Sequence, residues 1–250
     1  MSSGEKKREK EEERVERESL EDLKKILSES RKLRIGLLLI GGYAVASYTR
    51  GYRYTKDIDL VAEKQSLGKF RGLLNDLGYS IRKTEFGIAG TKRIGTGDNS
   101  NFADLHVSVG KVHDISTNND FPIDPSLFKK AKDLEVKGFF SKSTVIRVPV
   151  VDLETILILK LIPMGRDKDA VDIISLITDR SKDVDLELIE KIATEANLGL
   201  HILDRTRDYA TRIRSGELDR IWTGMTGARL SFVQKLELLR FLASLAYQLR

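Results

Sequence analysis

LLIGGYAVASYTRGYRYTKDIDLVA, residues 38–62, is the most informative stretch of this 250-residue chain. An apolar run at its start predicts a buried strand over residues 35–40, and a short helix is predicted over residues 43–49. Gly41 and Gly42 lie at the junction, where the free N–H groups of a helix N-terminus attract anions and glycine lets a phosphate approach the backbone. The beginning of the stretch therefore predicts a phosphate site.

Two aspartates follow the glycine pair. Asp57 comes fifteen residues after Gly42, and only Ile58 separates it from Asp59. Side chains on a strand alternate between its two faces, so the two carboxylates point the same way. They repel each other unless a cation lies between them, and Mg²⁺ binds a small number of carboxylates together with substrate phosphates. The pair therefore predicts a metal site, and the alternative is an ordinary solvated strand face.

The order of these features resembles the nucleotidyltransferase superfamily, which includes DNA polymerase beta and the CCA-adding enzymes. In that superfamily a strand, a Gly-Gly or Gly-Ser pair and an Asp-apolar-Asp motif follow one another along the chain. The residues from Arg53 to Asp59 are most similar to those of the minimal nucleotidyltransferases and of the AbiEii/MenT-type toxin nucleotidyltransferases. The resemblance implies nucleotide contacts at four positions of this stretch: Gly41, Gly42, Arg53 and Thr55.

The resemblance also implies a third carboxylate on a neighbouring strand. Asp104 is the candidate, because residues 102–107 alternate in the manner of a strand. Asp98 is a competitor, but the glycine-rich run around it, residues 95–100, is typical of a loop. His106 shares a strand face with Asp104, where it either contacts substrate or metal or serves as a structural hydrogen-bonding histidine.

A second group of charged residues resembles the additional motifs of the AbiEii-like branch. It consists of Lys160, Arg166, Lys168, Asp169 and Asp172. The resemblance implies that these side chains bind the nucleotide, with Lys160 and Lys168 on the triphosphate side. The alternative is a local ion pair, because Lys168 and Asp172 are four residues apart on a predicted helix.

The implied activity is the transfer of a nucleoside monophosphate from a nucleoside triphosphate to a hydroxyl, with release of pyrophosphate. Such a transfer depends on in-line positioning and on positive charge at the phosphate oxygens. Asp57, Asp59 and Asp104 are the implied catalytic residues, and they would hold Mg²⁺ or Mn²⁺. The acceptor hydroxyl would belong to RNA, such as a tRNA 3′ end, or to a protein. A toxin of this type implies an antitoxin partner.

A different class of function stays open at this point, namely a catalytically silent nucleotide- or RNA-binding module with the same fold. The three carboxylates favour the enzyme, since clustered negative charge would only repel the phosphates of a ligand that is merely bound. Four arginines on the helix predicted from His201 to Arg214 have spacings of seven and predict either a basic side that follows an RNA backbone or a solvated helix. They are Arg205, Arg207, Arg212 and Arg214.

Composition narrows the setting in which the protein works. The chain has no cysteine, which excludes disulfides and thiolate metal sites and favours a cytoplasmic location. No apolar run has the length of a membrane span, so no membrane partner is expected. The formal net charge of +5 permits a nucleic-acid partner.

The periodicity changes at Pro149, from strand-like before it to helical after it. The predicted fold class is α+β, a nucleotidyltransferase-like mixed sheet with flanking helices followed by a mostly helical C-terminal lobe. The predicted catalytic domain spans residues 19–150, and the predicted helical domain spans residues 151–250. Residues 1–18 are almost entirely charged and are predicted to form a tail or a solvated helix. A capping-box pattern predicts that a new helix begins at Ser19.

Overall fold

The computed structural model describes residues 3–95 and 101–250, with side chains from residue 8 onward. Asp98 and the loop predicted around it therefore lie outside the described residues. The strands are β1 (Leu37–Ile40), β2 (Ile58–Ala62), β3 (Ser80–Thr84), β4 (Gly87–Ile94), β5 (Asn101–Val109), β6 (Lys111–Asp114), β7 (Asn119–Pro122), β8 (Lys132–Lys137) and β9 (Val145–Val150). The α-helices are α1 (Ser3–Lys32), α2 (Gly41–Tyr48), α3 (Leu67–Asp76), α4 (Pro125–Lys130), α5 (Leu153–Leu161), α6 (Asp167–Arg180), α7 (Leu186–Glu195), α8 (Gly199–Arg214), α9 (Glu217–Thr226) and α10 (Phe232–Gln248). The predicted α+β class is confirmed.

The chain divides into two compact units. The first unit comprises Met1–Ser47, Tyr54–Val112 and Ile123–Val151, and the second comprises Tyr48–Arg53, His113–Pro122 and Asp152–Arg250. The first unit contains the large sheet, and the second contains α5 to α10. Within the described ranges, no helix has both the length and the apolar composition that crossing a membrane requires.

Seven strands of the first unit form one mixed sheet in the order β3-β4-β5-β2-β1-β9-β8. β2 pairs antiparallel with β1 on one edge and parallel with β5 on the other. All four side chains of β1 are buried, as its uniformly apolar sequence requires. Because β2 is hydrogen-bonded along both edges, the acidic side chains that it carries are held on a rigid part of the sheet.

The N-terminal helix is continuous from Ser3 to Lys32, so the predicted helix start at Ser19 is wrong. Ser19 is fully buried, and its hydroxyl donates a hydrogen bond to the carbonyl of Lys56 at 2.7 Å. The serine is therefore used in a tertiary contact in the middle of the helix. A local capping pattern does not distinguish this use from a helix start.

The charged first half of α1 also makes a buried contact. Glu16 is fully buried, and its carboxylate accepts hydrogen bonds from three consecutive backbone N–H groups. The donors are Phe139, Phe140 and Ser141, at 2.7, 2.8 and 2.9 Å. These charge-assisted hydrogen bonds compensate for removing the carboxylate from water. This part of α1 thus belongs to the core of the first unit despite its composition.

In the second unit, α5 and α6 are largely buried and pack against each other. α5 begins at Asp152, whose carboxylate accepts a hydrogen bond from the Thr155 N–H at 2.7 Å. α6 is buried from Asp169 to Ile177, a segment that includes two aspartates among apolar residues. A buried carboxylate must find partners inside the protein, and the partners of these aspartates form the second of the two sites described below.

Candidate active site

The register between β2 and β5 determines which acidic side chains share a face of the sheet. Ile58 is the partner of Leu105, and both side chains are fully buried. Asp59 is the partner of His106, so these two residues point to the opposite face. Their side chains are 31% and 56% exposed, which means that the acidic face is accessible to solvent.

Asp104 lies two residues before His106 on β5 and therefore shares its face. The hydroxyl of Thr91 donates to Asp104 Oδ1 at 3.2 Å, and Lys56 Nζ lies 3.9 Å from Asp104 Oδ2. Asp57 immediately precedes β2, and one further step of the same register would bring it beside Asp104. The strand pairing thus puts the carboxylates of Asp59 and Asp104 on one face of the sheet. Asp57 immediately precedes the paired residues of β2.

His106 is paired with Asp59. Its Nδ1 lies 3.3 Å from Asp59 Oδ1. The hydrogen bond to Asp59 raises the pKa of His106, and burial opposes this effect only in part. The imidazole is therefore a hydrogen-bonding neighbour of the Asp59 carboxylate. Of the two alternatives for His106, the hydrogen-bonding role is the one visible in the structure.

The first position of the pair requires glycine for a steric reason that the sequence alone does not reveal. Gly41 has a φ of +72°, a left-handed conformation that favours glycine. A Cβ atom at this position would lie 2.1 Å from Asp59 Oδ2. Gly41 is therefore required for the carboxylate of Asp59 to occupy its position. Gly42 follows in the first turn of α2, and its phosphate contact stays a prediction.

The donor set fits a hard divalent cation in its chemistry, because it consists of carboxylate oxygens. A basic side chain lies next to each of two carboxylates, His106 at Asp59 and Lys56 at Asp104, which indicates that this face attracts positive charge. Among residues 8–95 and 101–250, whose side chains the structure describes, no three metal-ligating side chains are already grouped for an ion. The metal role of the predicted carboxylates thus remains a prediction.

All residues of the second predicted group except Lys168 join Arg53 in an ion-pair network in the second unit, and both of its carboxylates are buried. Arg53 donates to both oxygens of Asp172 at 2.7 Å, through Nε and Nη2. Lys160 Nζ lies 2.8 Å from Asp172 Oδ2 and 3.0 Å from Asp169 Oδ1. Arg166 Nε completes the network at Asp169 Oδ2, at 2.5 Å. Each of the two carboxylates, Asp169 and Asp172, is therefore paired with a cation at both of its oxygens.

Burial and charge act in opposite directions on this network. Burial alone lowers the pKa of the Lys160 ammonium, but the charges of Asp172 and Asp169 outweigh it and the pKa is raised. Burial likewise disfavours the charged form of Asp172, yet Lys160 and Arg53 hold the pKa of this carboxyl below its usual range. Lys160 and Asp172 therefore each favour the charged form of the other.

Lys168 is exposed and lies outside this network. Because both oxygens of Asp172 are engaged by Arg53 and Lys160, the local ion pair between Lys168 and Asp172 does not form within the described part of the chain. Thr55 is half-buried in the connection between α2 and β2. The nucleotide contacts of both residues stay predictions.

The segment Tyr48–Arg53 makes hydrogen bonds to Asp179 that the sequence did not predict. Asp179 accepts hydrogen bonds from the Arg50 N–H at 2.9 Å and from the Tyr52 hydroxyl at 2.8 Å. Burial, followed by this bond to Asp179, raises the pKa of Tyr52 to about 12. The available signal was the spacing between Asp172 and Asp179, since residues seven apart lie on the same side of a helix.

Only part of the predicted basic side of α8 is exposed, since Arg207 and Arg214 are exposed whereas the other two arginines are largely buried. Arg205 and Arg212 lie over the ring of Tyr209 at 5.1 and 5.5 Å, with side chains only 6% and 14% exposed. They also form ion pairs with Asp208 and Glu217, each at 2.8 Å. Two of the four arginines are thus part of the interior of the second unit and are not available to an RNA backbone.

The mixed sheet carries acidic residues on two adjacent parallel strands, next to a helix that begins at a glycine pair, and this is the arrangement that the resemblance to nucleotidyltransferases implies. A family model described as "Nucleotidyl transferase AbiEii toxin, Type IV TA system" matches residues 25–243. The chain therefore belongs to the AbiEii nucleotidyltransferase family. The match confirms the resemblance stated from the sequence, both to the nucleotidyltransferase superfamily and to its AbiEii branch.

The solved structures that are similar to this chain include the following three. The solution structure of the antibiotic-resistance factor ANT(2'')-Ia is 14% identical, covers 78% of this chain and 99% of its own, and has a TM-score of 0.49. ANT(2'')-Ia in complex with adenylyl-2''-tobramycin is 16% identical over 71% of this chain and 96% of its own, with a TM-score of 0.47. The lincosamide antibiotic adenylyltransferase LnuA, bound to lincomycin, is 17% identical over 62% and 94%, with a TM-score of 0.39. A comparison with curated proteins finds no match.

Proposed function

We propose that this nucleotidyltransferase moves a nucleoside monophosphate from a nucleoside triphosphate to a hydroxyl of RNA, such as a tRNA 3′ end, or of a protein. The family supplies the reaction class. The single observation that carries the assignment of residues is the register between β2 and β5, because it puts Asp59 and Asp104 on one half-exposed face. Asp57, Asp59 and Asp104 are the proposed catalytic residues.

The same three aspartates are proposed to hold Mg²⁺ or Mn²⁺. Since no group of three ligands is already assembled among the described residues, we propose that ion and triphosphate bind together, with phosphate oxygens as further ligands. A bound divalent ion would neutralise phosphate charge and lower the pKa of the attacking hydroxyl. The residues of this chain provide the negative face that attracts the ion and the rigid strands that fix its position.

The phosphate contacts are proposed from two features. The N–H groups at the start of α2, which follow Gly41 and Gly42, are suited to an anion. In the second unit, Arg166 and Lys168 are the exposed cations of the charged group, and we propose that they contact phosphate. Arg53, Lys160, Asp169 and Asp172 support them as the buried network. An antitoxin partner is proposed from the toxin–antitoxin description of the family.

The decisive experiment is a labelling assay. The protein is incubated with each ribonucleoside triphosphate in turn, labelled at the α-phosphate, together with Mg²⁺ or Mn²⁺ and a mixture of total RNA and cellular protein. We expect the label to appear in RNA or in a protein band. A triphosphate labelled only at the γ-phosphate should leave no label, because pyrophosphate is the leaving group.

The matched control is Asp59→Asn, which keeps the size of the side chain and removes its charge. This variant should give no labelled product while it keeps the fold of the parent. Equal labelling by the parent and by Asp59→Asn, or the absence of any labelled acceptor with every triphosphate and both metals, would contradict the proposal.

A further inference from the structure

The acidic face of the sheet continues beyond the carboxylates onto β4 and β3. Phe102 lies two residues before Asp104 on β5, so both side chains point to the same face. Arg93 on β4 is the register partner of Phe102 and shares that face. Strand geometry puts Phe102 about 7 Å along the strand from Asp104. An aromatic ring and a guanidinium group thus lie next to a proposed catalytic carboxylate.

A second arginine lies farther along the same face. His106 on β5 is the partner of Ala89 on β4, and Ala89 is the partner of Arg82 on β3. Arg82 therefore points to the same side of the sheet as His106 and Asp59, about 14 Å from Asp59 across three strand spacings. Beyond the carboxylates, the two arginines are the only permanently charged side chains that the described residues of β3, β4 and β5 present on this face.

The two faces of these strands differ in burial. On the opposite face Ala103, Leu105 and Val107 are at most 2% exposed, and α1 and α3 pack on these strands. On the acidic face, Arg82 and Arg93 are exposed, and Phe102 is 47% exposed. The exposed ring of Phe102 lies beside Arg93 on the open face, although an antiparallel sheet normally directs large apolar side chains to its covered face.

We propose that this open face, defined by Phe102, Arg82 and Arg93 and called here the acceptor platform, binds single-stranded RNA and brings its end to Asp104. A base stacks on the ring of Phe102, and the arginines contact backbone phosphates. The inference rests on the proposed function, because it identifies the acceptor of that transfer as RNA.

Chemistry favours a nucleic-acid strand over other partners. Every base has a flat π-face, so one aromatic ring stacks with any sequence, and a basic surface follows the phosphate backbone. Arginine suits such a surface because its planar group binds phosphate in a bidentate manner. A protein acceptor would be expected to meet a larger apolar patch with a polar rim, whereas this face offers a single ring with one arginine beside it and a second farther along the face.

The test measures RNA binding without any triphosphate or metal. The full-length protein is titrated into a 5′-fluorescein-labelled single-stranded RNA dodecamer of mixed sequence, and fluorescence anisotropy gives the dissociation constant. Phe102→Leu, which keeps an apolar side chain but removes the ring, should weaken binding by about 5- to 100-fold. Phe102→Trp should retain binding because it restores a stacking surface.

The arginines are tested through the salt dependence of the same titration. Each phosphate contact contributes about 0.7 to the slope of log affinity against log salt concentration for single strands. Arg82→Gln and Arg93→Gln should each lower the slope by about this amount. Lys83→Gln is the matched control, since Lys83 is exposed on the same strand as Arg82 but points to the opposite face, and its slope should equal that of the parent.

The outcomes separate this inference from the proposed function. Unchanged affinity in Phe102→Leu, or an equal loss of slope in Lys83→Gln and Arg82→Gln, would overturn the acceptor platform even if the labelling assay detects transfer. Labelling of a protein that is unaffected by Phe102→Leu would assign the acceptor to protein instead. RNA binding that depends on Phe102 and the two arginines, without any labelled product, would support the platform and contradict only the transfer. Equal thermal midpoints of parent and variants confirm that folding is intact.

Discussion

The two groups of aspartates in this protein are held in opposite ways. Asp59 and Asp104 on the sheet have side chains 31% and 38% exposed, and their basic neighbours lie 3.3 and 3.9 Å away. Asp169 and Asp172 on α6 have side chains 5% and 3% exposed, and their cations lie within 3.0 Å. The first pair has loose partners and access to solvent, whereas the second is buried and fully engaged.

The difference indicates which aspartates are free to bind a ligand. A carboxylate that is saturated by buried cations stabilises its own surroundings, and a ligand would have to replace short ion pairs to reach it. A half-exposed carboxylate with a loosely placed cation can exchange that neighbour for another at little cost, because exposed ion pairs contribute about 1 kcal/mol or less. Removing the charge of an aspartate on the sheet should therefore impair activity. Removing the charge of an aspartate on α6 should instead lower the stability of the protein.

The largest effect is expected on transfer when a sheet carboxylate loses its charge. Asp59→Asn and Asp57→Asn should each lower the rate of nucleotide transfer at least about a thousandfold, equivalent to about 4 kcal/mol of transition-state stabilisation. The thermal midpoint should stay near that of the parent or rise slightly, because repulsion between neighbouring carboxylates is relieved. Asp133→Asn, an exposed aspartate on β8, is the control and should leave the rate unchanged. A rate near that of the parent in Asp59→Asn would mean that the open carboxylates are not the catalytic ones.

The next largest effect is expected on stability when the buried network loses a carboxylate. Asp172→Asn leaves Arg53 without its bidentate carboxylate and Lys160 with Asp169 as its remaining carboxylate partner, and it should destabilise the protein by about 3–5 kcal/mol. Urea unfolding measures this change, with Asp167→Asn, an exposed residue in the first turn of α6, as the control. Equal urea midpoints for the two variants would show that the network does not hold the second unit together.

The same network gives a pH dependence with a definite sign. The pKa of Asp172 is lower in the folded protein than in the unfolded chain. Its stabilisation is therefore fully present above the unfolded value of about 3.9 and is lost as the pH falls through the lower folded pKa. The difference in unfolding free energy between the parent and Asp172→Asn should accordingly shrink below about pH 4.

An intermediate effect is expected at the glycine that makes room for Asp59. Gly41→Ala introduces a side chain at a φ of +72° and only 2.1 Å from Asp59 Oδ2. Gly110→Ala is the matched control, because Gly110 has a φ of +74° with open space around its Cβ position. Left-handed strain alone contributes about 1–2 kcal/mol, and Gly41→Ala should exceed the control in destabilisation and also lower the transfer rate. If Gly41→Ala and Gly110→Ala lost the same stability and Gly41→Ala kept the full transfer rate, the steric argument for Gly41 would be refuted.

The smallest effect is expected at Lys168, the exposed cation outside the buried network. Lys168→Met should change the free energy of unfolding by less than about 0.5 kcal/mol, because no local ion pair is lost. Triphosphate affinity, measured by calorimetry on the same variant, should fall by up to about fivefold, as expected for one exposed charge contact. A loss confined to stability would refute the phosphate contact and restore the local role.

Local patterns predicted the sheet carboxylates because their information is contained in a few consecutive residues. Alternation along β5 is enough to put Asp104 and His106 on one face, and the Asp-apolar-Asp motif is equally local. The pairing of Arg53 with Asp172 joins residues that are 119 positions apart. No periodicity in a single sequence encodes such a contact, so the buried network could be predicted as a set of charged residues but not as a set of partners.

Tertiary contacts also override local signals. The capping pattern at Ser19 has the right residue types and spacing, but the serine hydroxyl is used by the carbonyl of Lys56. The arginines of α8 have the spacing of a basic surface, yet two of them enclose Tyr209. In both cases the outcome depends on what packs against the helix, which is information that the helix sequence does not contain.

The contact of Glu16 with residues 139–141 has a consequence for producing shortened forms of the protein. The family match begins at residue 25, so a chain trimmed to the matched region would lose Glu16. Three backbone N–H groups would then have to be hydrated, and the buried side chains of Val15, Leu20 and Leu23 would be lost from the core. The border of sequence similarity therefore lies inside a folding unit, and proteases that cut after residue 24 should attack the native protein slowly and the unfolded chain rapidly.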